Sequence, residues 1–391
     1  LLEYALGYEA TYLFVVKKGG VVKIMKIAKG QEEIERMVNA FMLPLQNPMT
    51  KEDFSPFLGQ QLYSIILEKA LEDVSVDKNI IIIPDGILGL LPFEALVIEL
   101  GRDFKSTVFV GDRWNICYYQ SATILAFNRL LKPTRAQKPL FALGNPIFDK
   151  SDPRYVAFKE GKSLPAFPAQ ESNLYAYRAL ATQREWGTTT QEDDGRNEIV
   201  YPPLYETEKE VKEIATLFNV GFSPPDILLN VDANETSLRK SQLRDYRFLH
   251  FATHADLPGK VEGIKESFLL LGQVGNEGKD DGFLTMTEVL ELSLDADLVV
   301  LSACLTGRGA VMEGEGVLNF ARAFHHAGAR SVVVSLWEVA SKETAEYMKL
   351  FYQHLKEGMS KERALFLARR EIKSKYPNPF YWAPFILHGE S

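Results

Sequence analysis

Short apolar runs closed by polar or glycine-containing turns alternate along this chain with stretches whose apolar residues recur every three or four positions. The first pattern predicts strands covered on both faces, the second amphipathic helices. Residues 11–16 and 21–27 form a predicted hairpin around Lys17-Lys18-Gly19-Gly20. Helical spacing follows near 32–41 and 57–71, then a buried strand at 79–83 and the turn Pro84-Asp85-Gly86. Residues 90–96 return the chain to the core, and 140–146 read as a further strand with its exit turn. Strands alternating with helices predict a mainly parallel sheet with crossovers.

The pattern weakens between about 148 and 203, where prolines, polar residues and Thr188-Thr189-Thr190 predict a long loop or surface insertion. This divides the chain into an N-terminal half, 1–150, a linking segment, 151–203, and a C-terminal module, 204–391. In the module a capping box at Thr207-Glu208-Lys209-Glu210 opens a helix, and 247–253 is a strand. Residues 268–271 and 282–285 predict short strands or a hairpin, with 286–292 helical. Further strands are expected at 298–303, 331–337 and 381–387, and helices at 316–324, behind Ser341 and over 360–374.

Candidate chemistry concentrates where two buried runs end. Phe248-Leu249-His250-Phe251-Ala252-Thr253 leads to His254, and Leu298-Val299-Val300-Leu301-Ser302-Ala303 leads to Cys304. Ligands and reacting groups of open α/β sheets sit beyond the carboxyl ends of the strands, so an imidazole and a thiol would share one edge. That is what a cysteine nucleophile with a neighbouring base requires. Cys304 enters the glycine-containing turn Leu305-Thr306-Gly307-Arg308-Gly309, where a thiol can feel a field favouring thiolate. Cys117, inside Trp114-Asn115-Ile116-Cys117-Tyr118-Tyr119, reads as an inert buried residue. His250 and His254 would stand about 13 Å apart on one strand, too far to share a metal ion, so His250 reads as a core histidine and neither metal nor cofactor is expected. His325-His326, near a helix end, read as structural.

Composition narrows the field. The chain has 391 residues, 46% hydrophobic and 25% charged, enough for one large core or two ordinary ones. Its formal net charge of -8 argues against a general nucleic-acid or anionic-membrane binder. Two cysteines exclude a disulfide framework and suit a reducing, cytoplasmic compartment. No apolar run is long enough to span a bilayer and no signal peptide opens the chain; a start at Leu1 rather than Met is expected of a piece of something longer.

The residues His254 and Cys304 are 50 apart, and caspases carry their histidine about 50 positions before the cysteine. The motifs Phe248-Leu249-His250-Phe251-Ala252-Thr253-His254, Leu301-Ser302-Ala303-Cys304-Leu305-Thr306-Gly307, Gly314-Glu315-Gly316, Ser335-Leu336-Trp337 and Tyr381-Trp382-Ala383-Pro384-Phe385 together resemble the CHAT domain family of caspase-like (clan CD) cysteine peptidases. Ile83-Pro84-Asp85-Gly86 and Leu91-Pro92-Phe93-Glu94-Ala95-Leu96 match the family's front part, so the resemblance spans nearly the whole chain.

The resemblance implies an α/β fold, a caspase-like α/β/α sandwich in which a pseudo-protease half precedes an active half. It implies a cysteine endopeptidase acting on a protein substrate in bacterial defence or cell death, often behind tetratricopeptide repeats and under an activating partner. The oxyanion would be held by the backbone N–H groups of Ala255 and Cys304; Ala255 stands where glycine is usual, Leu305 where glutamate is common, and an acidic residue after the Ser-Leu-Trp strand is missing at Ala340-Ser341. Ser302 would floor the first specificity pocket, and a neutral floor favours a non-basic residue at the cleavage site. Asp256, Glu313, Glu315 or Glu338 could still supply a charge there. Ser335, Leu336, Trp337 and Glu338 are the expected edge for an extended substrate, the alternative being a core strand with Trp337 as packing. Against the endopeptidase stand an inactive scaffold of the same fold and a redox or acyl-transfer enzyme, which would need a resolving thiol nearby.

Overall fold

In the computed structural model the described residues are 1–17, 19–20, 22–46, 53–130, 133–163, 201–303, 310–312, 316–318, 320–337 and 341–390. Among these residues eighteen strands run in chain order. They are β1 Leu2–Leu6, β2 Thr11–Val16, β3 Val22–Ile27, β4 Asn79–Ile83, β5 Val97–Glu99, β6 Val108–Phe109, β7 Asn115–Tyr118, β8 Lys138–Gly144 and β9 Ile227–Leu229. There follow β10 Tyr246–Ala252, β11 His254–Asp256, β12 Phe268–Leu270, β13 Phe283–Thr285, β14 Leu298–Leu301, β15 Ala310–Met312, β16 Gly316–Leu318, β17 Ser331–Ser335 and β18 Phe385–Gly389.

Eleven of them make one sheet in the order β3-β2-β1-β4-β7-β18-β17-β14-β10-β8-β9. Neighbours are parallel except at β3–β2, β2–β1 and β18–β17. The antiparallel seam between β17 and β18 makes the sheet two parallel blocks running in opposite directions. Strands β1, β4, β7 and β18 end at one edge, and β17, β14, β10, β8 and β9 end at the other. Strand β8 precedes the 151–203 segment in the chain yet sits between β9 and β10, and β18 closes the chain against β7.

The layering follows from the two-residue alternation of strand side chains. On β10, Phe248 and His250 meet Tyr352 of the helix Ser341–Lys356, and Phe248 also meets Phe218 at the end of the helix Tyr205–Leu217. Phe251, of opposite parity, packs on Phe324 of the helix Phe320–Ala327. Helices therefore cover both faces, which is why Leu298, Val299, Val300 and Leu301 are all fully buried and why the run carries no polar alternation. The result is an α/β sandwich around a mainly parallel sheet.

A buried ion pair ties the front part of the chain to its last long helix. Glu94, in a short 3-10 turn, is fully buried and pairs with Arg369 of the helix Lys361–Lys375 at 3.1 Å, while the Tyr118 hydroxyl donates to the same carboxylate at 2.6 Å.

Several expectations are corrected. Strand β1 was not anticipated. The helix predicted from 316 begins only at Phe320, because 316–318 pair with 310–312 as a small antiparallel ribbon. The terminal strand starts at Phe385 rather than 381, since Asn378 caps a short helix at Pro379–Trp382. Residues 153–159, at the start of the linking segment, are helical.

Candidate active site

The last strong ladder position of β10, Phe251, pairs with Leu301 of β14. Two residues later the chain leaves the main sheet: Thr253 turns, its hydroxyl donating to the Leu270 carbonyl, and β11 joins the separate ribbon β11–β12–β13. His254 opens β11, opposite Leu270. On the neighbouring strand the described chain ends at Ser302 and Ala303, beyond β14 at the same edge. Cys304, Glu313, Glu315 and Glu338 lie outside the described residues.

His254 is only 5% exposed. The rings of Phe148 and Tyr201 stand 5.2 and 5.5 Å from its own, and its Nε2 lies 2.8 Å from the Pro202 carbonyl oxygen. A carbonyl only accepts, so the proton sits on Nε2 and Nδ1 keeps its lone pair. Burial pushes the imidazole pKa down to about 4, and the Pro202 bond opposes this only in part. At neutral pH the ring is therefore an uncharged base with one nitrogen committed and the other able to accept a proton. The Pro202 carbonyl thus sets the tautomer of the ring. Any residue can offer a carbonyl, so no side-chain signal marks it; Phe148 and Tyr201 were likewise missed.

The remaining predicted residues divide. Ala255 is buried in β11 opposite Leu269 and does not have positive φ, so its Cβ carries no conformational penalty where glycine is usual. Asp256, half-buried, accepts from the Tyr201 hydroxyl at 3.1 Å and from the Leu257 N–H at 2.8 Å, and burial pushes its carboxyl pKa up. Ser302 is buried and its hydroxyl has no hydrogen-bond partner among the described residues. Ser335 and Leu336 do not offer the substrate edge expected of them on the terminal side: Ser335 pairs with Phe385, and the Leu336 N–H donates to the Pro384 carbonyl at 3.0 Å. Trp337 is fully buried with its Nε1 donating to the Phe380 carbonyl at 2.9 Å, which is core packing.

The groups set aside as structural behave so. His250 is buried between Glu210, 2.9 Å from Nε2, and the Tyr352 hydroxyl, 3.3 Å from Nδ1. Cys117 is buried, and desolvation pushes its thiol up to about 12, well away from reactivity. His325 bonds the Ala329 carbonyl and burial lowers its pKa to about 4, so as a neutral ring it adds no cation to its helix end. Among the described residues no cluster of three or more His, Cys, Asp or Glu could hold a metal ion. No helix of the described residues is long and apolar enough to cross a membrane.

Comparison with known proteins adds the following. The family model of the CHAT domain matches residues 57–390. Tetratricopeptide repeat protein 28 of Homo sapiens is 36% identical over 108 residues, 27% of this chain, and that of Mus musculus 34% over 108 residues. The matched segment covers only 4% of the length of either relative. Among solved structures, the Arg-specific cysteine proteinase gingipain R of Porphyromonas gingivalis aligns over 92% of this chain and 74% of its own, at 10% identity and TM-score 0.47. The Saccharomyces cerevisiae separase in complex with securin aligns over 79% of this chain and 15% of its own, at 12% identity and TM-score 0.42.

Proposed function

The chain belongs to the CHAT domain family, and from that premise we propose that it is a cysteine endopeptidase working through His254 and Cys304. The observation that carries this reading is the state of His254: a neutral imidazole, fixed by Pro202, at the carboxyl end of a strand in register with the strand that runs into Cys304. Residue 254 lies three beyond Phe251 and residue 304 three beyond its partner Leu301.

In this mechanism the Cys304 sulfur attacks the scissile carbonyl as Nδ1 of His254 takes the thiol proton. The same nitrogen returns it to the leaving amine, and water then releases the acyl group by the reverse sequence. Backbone N–H groups of Ala255 and Cys304 hold the oxyanion. Ser302, whose hydroxyl has no partner among the described residues, gives a neutral pocket floor that selects small or polar side chains over cations. The substrate is a protein, and an upstream tetratricopeptide region or another partner supplies activation in a bacterial defence or cell-death setting.

A second reading, an inactive caspase-like scaffold, draws on the near-complete burial of His254 beneath Phe148 and Tyr201. Peptide-library cleavage separates the two. The endopeptidase reading expects turnover that Cys304→Ala abolishes and that His254→Ala lowers by about 100-fold or more. Cleavage unaffected by either substitution, or none with any candidate partner added, favours the scaffold.

A further inference from the structure

Two alternate residues of β11 hold two consecutive residues of the segment before the helix Tyr205–Leu217. His254 and Asp256 are two apart on one strand and so point to the same side. His254 donates through Nε2 to the Pro202 carbonyl at 2.8 Å, and Asp256 accepts from the hydroxyl of the preceding residue, Tyr201, at 3.1 Å. Between the two bonds the Tyr201 ring lies 5.5 Å from the imidazole and 6.4 Å from Phe148.

We propose that Asp256 is a positioning residue for His254, acting through Tyr201 to fix the carbonyl of Pro202 against the imidazole. The inference rests on the peptidase reading above and assigns Asp256 a role other than supplying charge to a substrate. Both of its carboxylate oxygens are already engaged, one by the Tyr201 hydroxyl and one by the Leu257 N–H. Neither partner is a cation. Pro202 has a rigid ring but no N–H with which to anchor itself, so the direction of its carbonyl depends on what holds its neighbours. Tyr201 is that neighbour, and its side-chain hydrogen bond among the described residues runs to the strand that carries the histidine. The contacts close a loop: His254 to Pro202, Pro202 to Tyr201 by covalent bond, Tyr201 to Asp256, and Asp256 back along β11 to His254. Opening it at the Tyr201–Asp256 bond frees the carbonyl, and with it the ring whose nitrogen must face the nucleophile.

The test uses the full chain and reads His254 itself. Diethyl pyrocarbonate modifies accessible neutral imidazoles, and peptide mass mapping reports each histidine separately; the exposed His326 is the internal reference. Wild-type His254 reacts far more slowly than His326. Tyr201→Phe, which keeps the ring and removes only the hydroxyl, and Asp256→Ala each raise the His254 rate by about tenfold, leave His326 unchanged and lower peptide cleavage by about tenfold. Asp256→Asn, whose amide oxygen still accepts from Tyr201, restores both to within about threefold of wild type. The proposal is overturned if Tyr201→Phe leaves His254 modification unchanged, or if cleavage rises when the bond is lost, which would make the pair a restraint instead of a support. Absence of cleavage in the wild type defeats the peptidase reading alone; the modification rates still decide whether the clasp exists.

Discussion

The two parallel blocks of the sheet repeat one device and put it to different uses. In the front block β4 and β7 pair at Ile82 and Tyr118, and three residues beyond each stand Asp85 and Ser121. In the rear block β10 and β14 pair at Phe251 and Leu301, and three residues beyond each stand His254 and Cys304. At the front the exits are finished by structural bonds: Asp85 accepts the Leu6 N–H at 2.8 Å, and Ser121 caps the helix Ala122–Asn128 by accepting the Ile124 N–H at 3.2 Å. At the rear the exit residue is a buried, neutral imidazole held at one nitrogen. The strand ends thus differ in chemistry: a carboxylate and a capping hydroxyl close the exits at the front, and a buried neutral imidazole stands at the rear.

The contrast can be broken from either side. The largest effect is expected at the rear exits, where His254→Ala lowers peptide cleavage by about 100-fold or more while thermal unfolding changes little by comparison. Next comes the buried ion pair between Glu94 and the helix Lys361–Lys375. Glu94→Ala leaves Arg369 buried without its partner, and the expected cost is about 3–5 kcal/mol, read as a shift in the denaturant midpoint.

Acid should act on the buried histidines. The native pKa values of the buried His254 and His388 lie near 4 and 3 against an ordinary 6.5, so the unfolded chain binds protons that the native state refuses. Stability is then complete above about pH 6.5 and falls as pH drops toward 4, by roughly 3 kcal/mol for His254 alone. Denaturant titrations at pH 7.5, 5.5 and 4.5 check this; His254→Gln should flatten part of the slope, and a slope identical to wild type would contradict the burial of the ring. The smallest effects belong to the front exits. Ser121→Ala should cost about 1 kcal/mol of stability and Asp85→Ala about 1–2 kcal/mol, with cleavage unchanged in both.

Much of this was legible because long apolar runs have few alternatives. The runs ending in Ala252, Leu301 and Ser335 are covered by helices on both faces, and that double burial writes itself as uninterrupted apolar sequence. Strand β1 escaped notice because it is short and buries fully only Leu2 and Tyr4, too few positions to show an alternation. The 316–318 ribbon was read as helix because Val317 and Leu318 continue the apolar spacing of Phe320, Ala321 and Phe324. At the chain end, Asn378-Pro379 carried the capping signal that places a short helix before β18.

The pairing of β18 with β7, and hence the joining of both blocks into one sheet, left no local trace, since nothing near either strand encodes a partner so distant in sequence. In the site, His254 was legible from its place at the end of a run. The Pro202 carbonyl and the rings of Phe148 and Tyr201 were not, because they reach the histidine from segments far from it in the chain.

The chain has just two cysteines, and Cys117, buried within β7, serves as an internal control for Cys304 in the same molecule. A peptidyl chloromethyl ketone, followed by site-resolved mass spectrometry, compares Cys304 with the buried Cys117 in the wild type and in His254→Ala. The expected adduct is confined to Cys304 in the wild type and forms at least about tenfold more slowly in His254→Ala, with Cys117 unmodified in both. Equal labelling of Cys304 with and without the imidazole would show that the two residues do not act together.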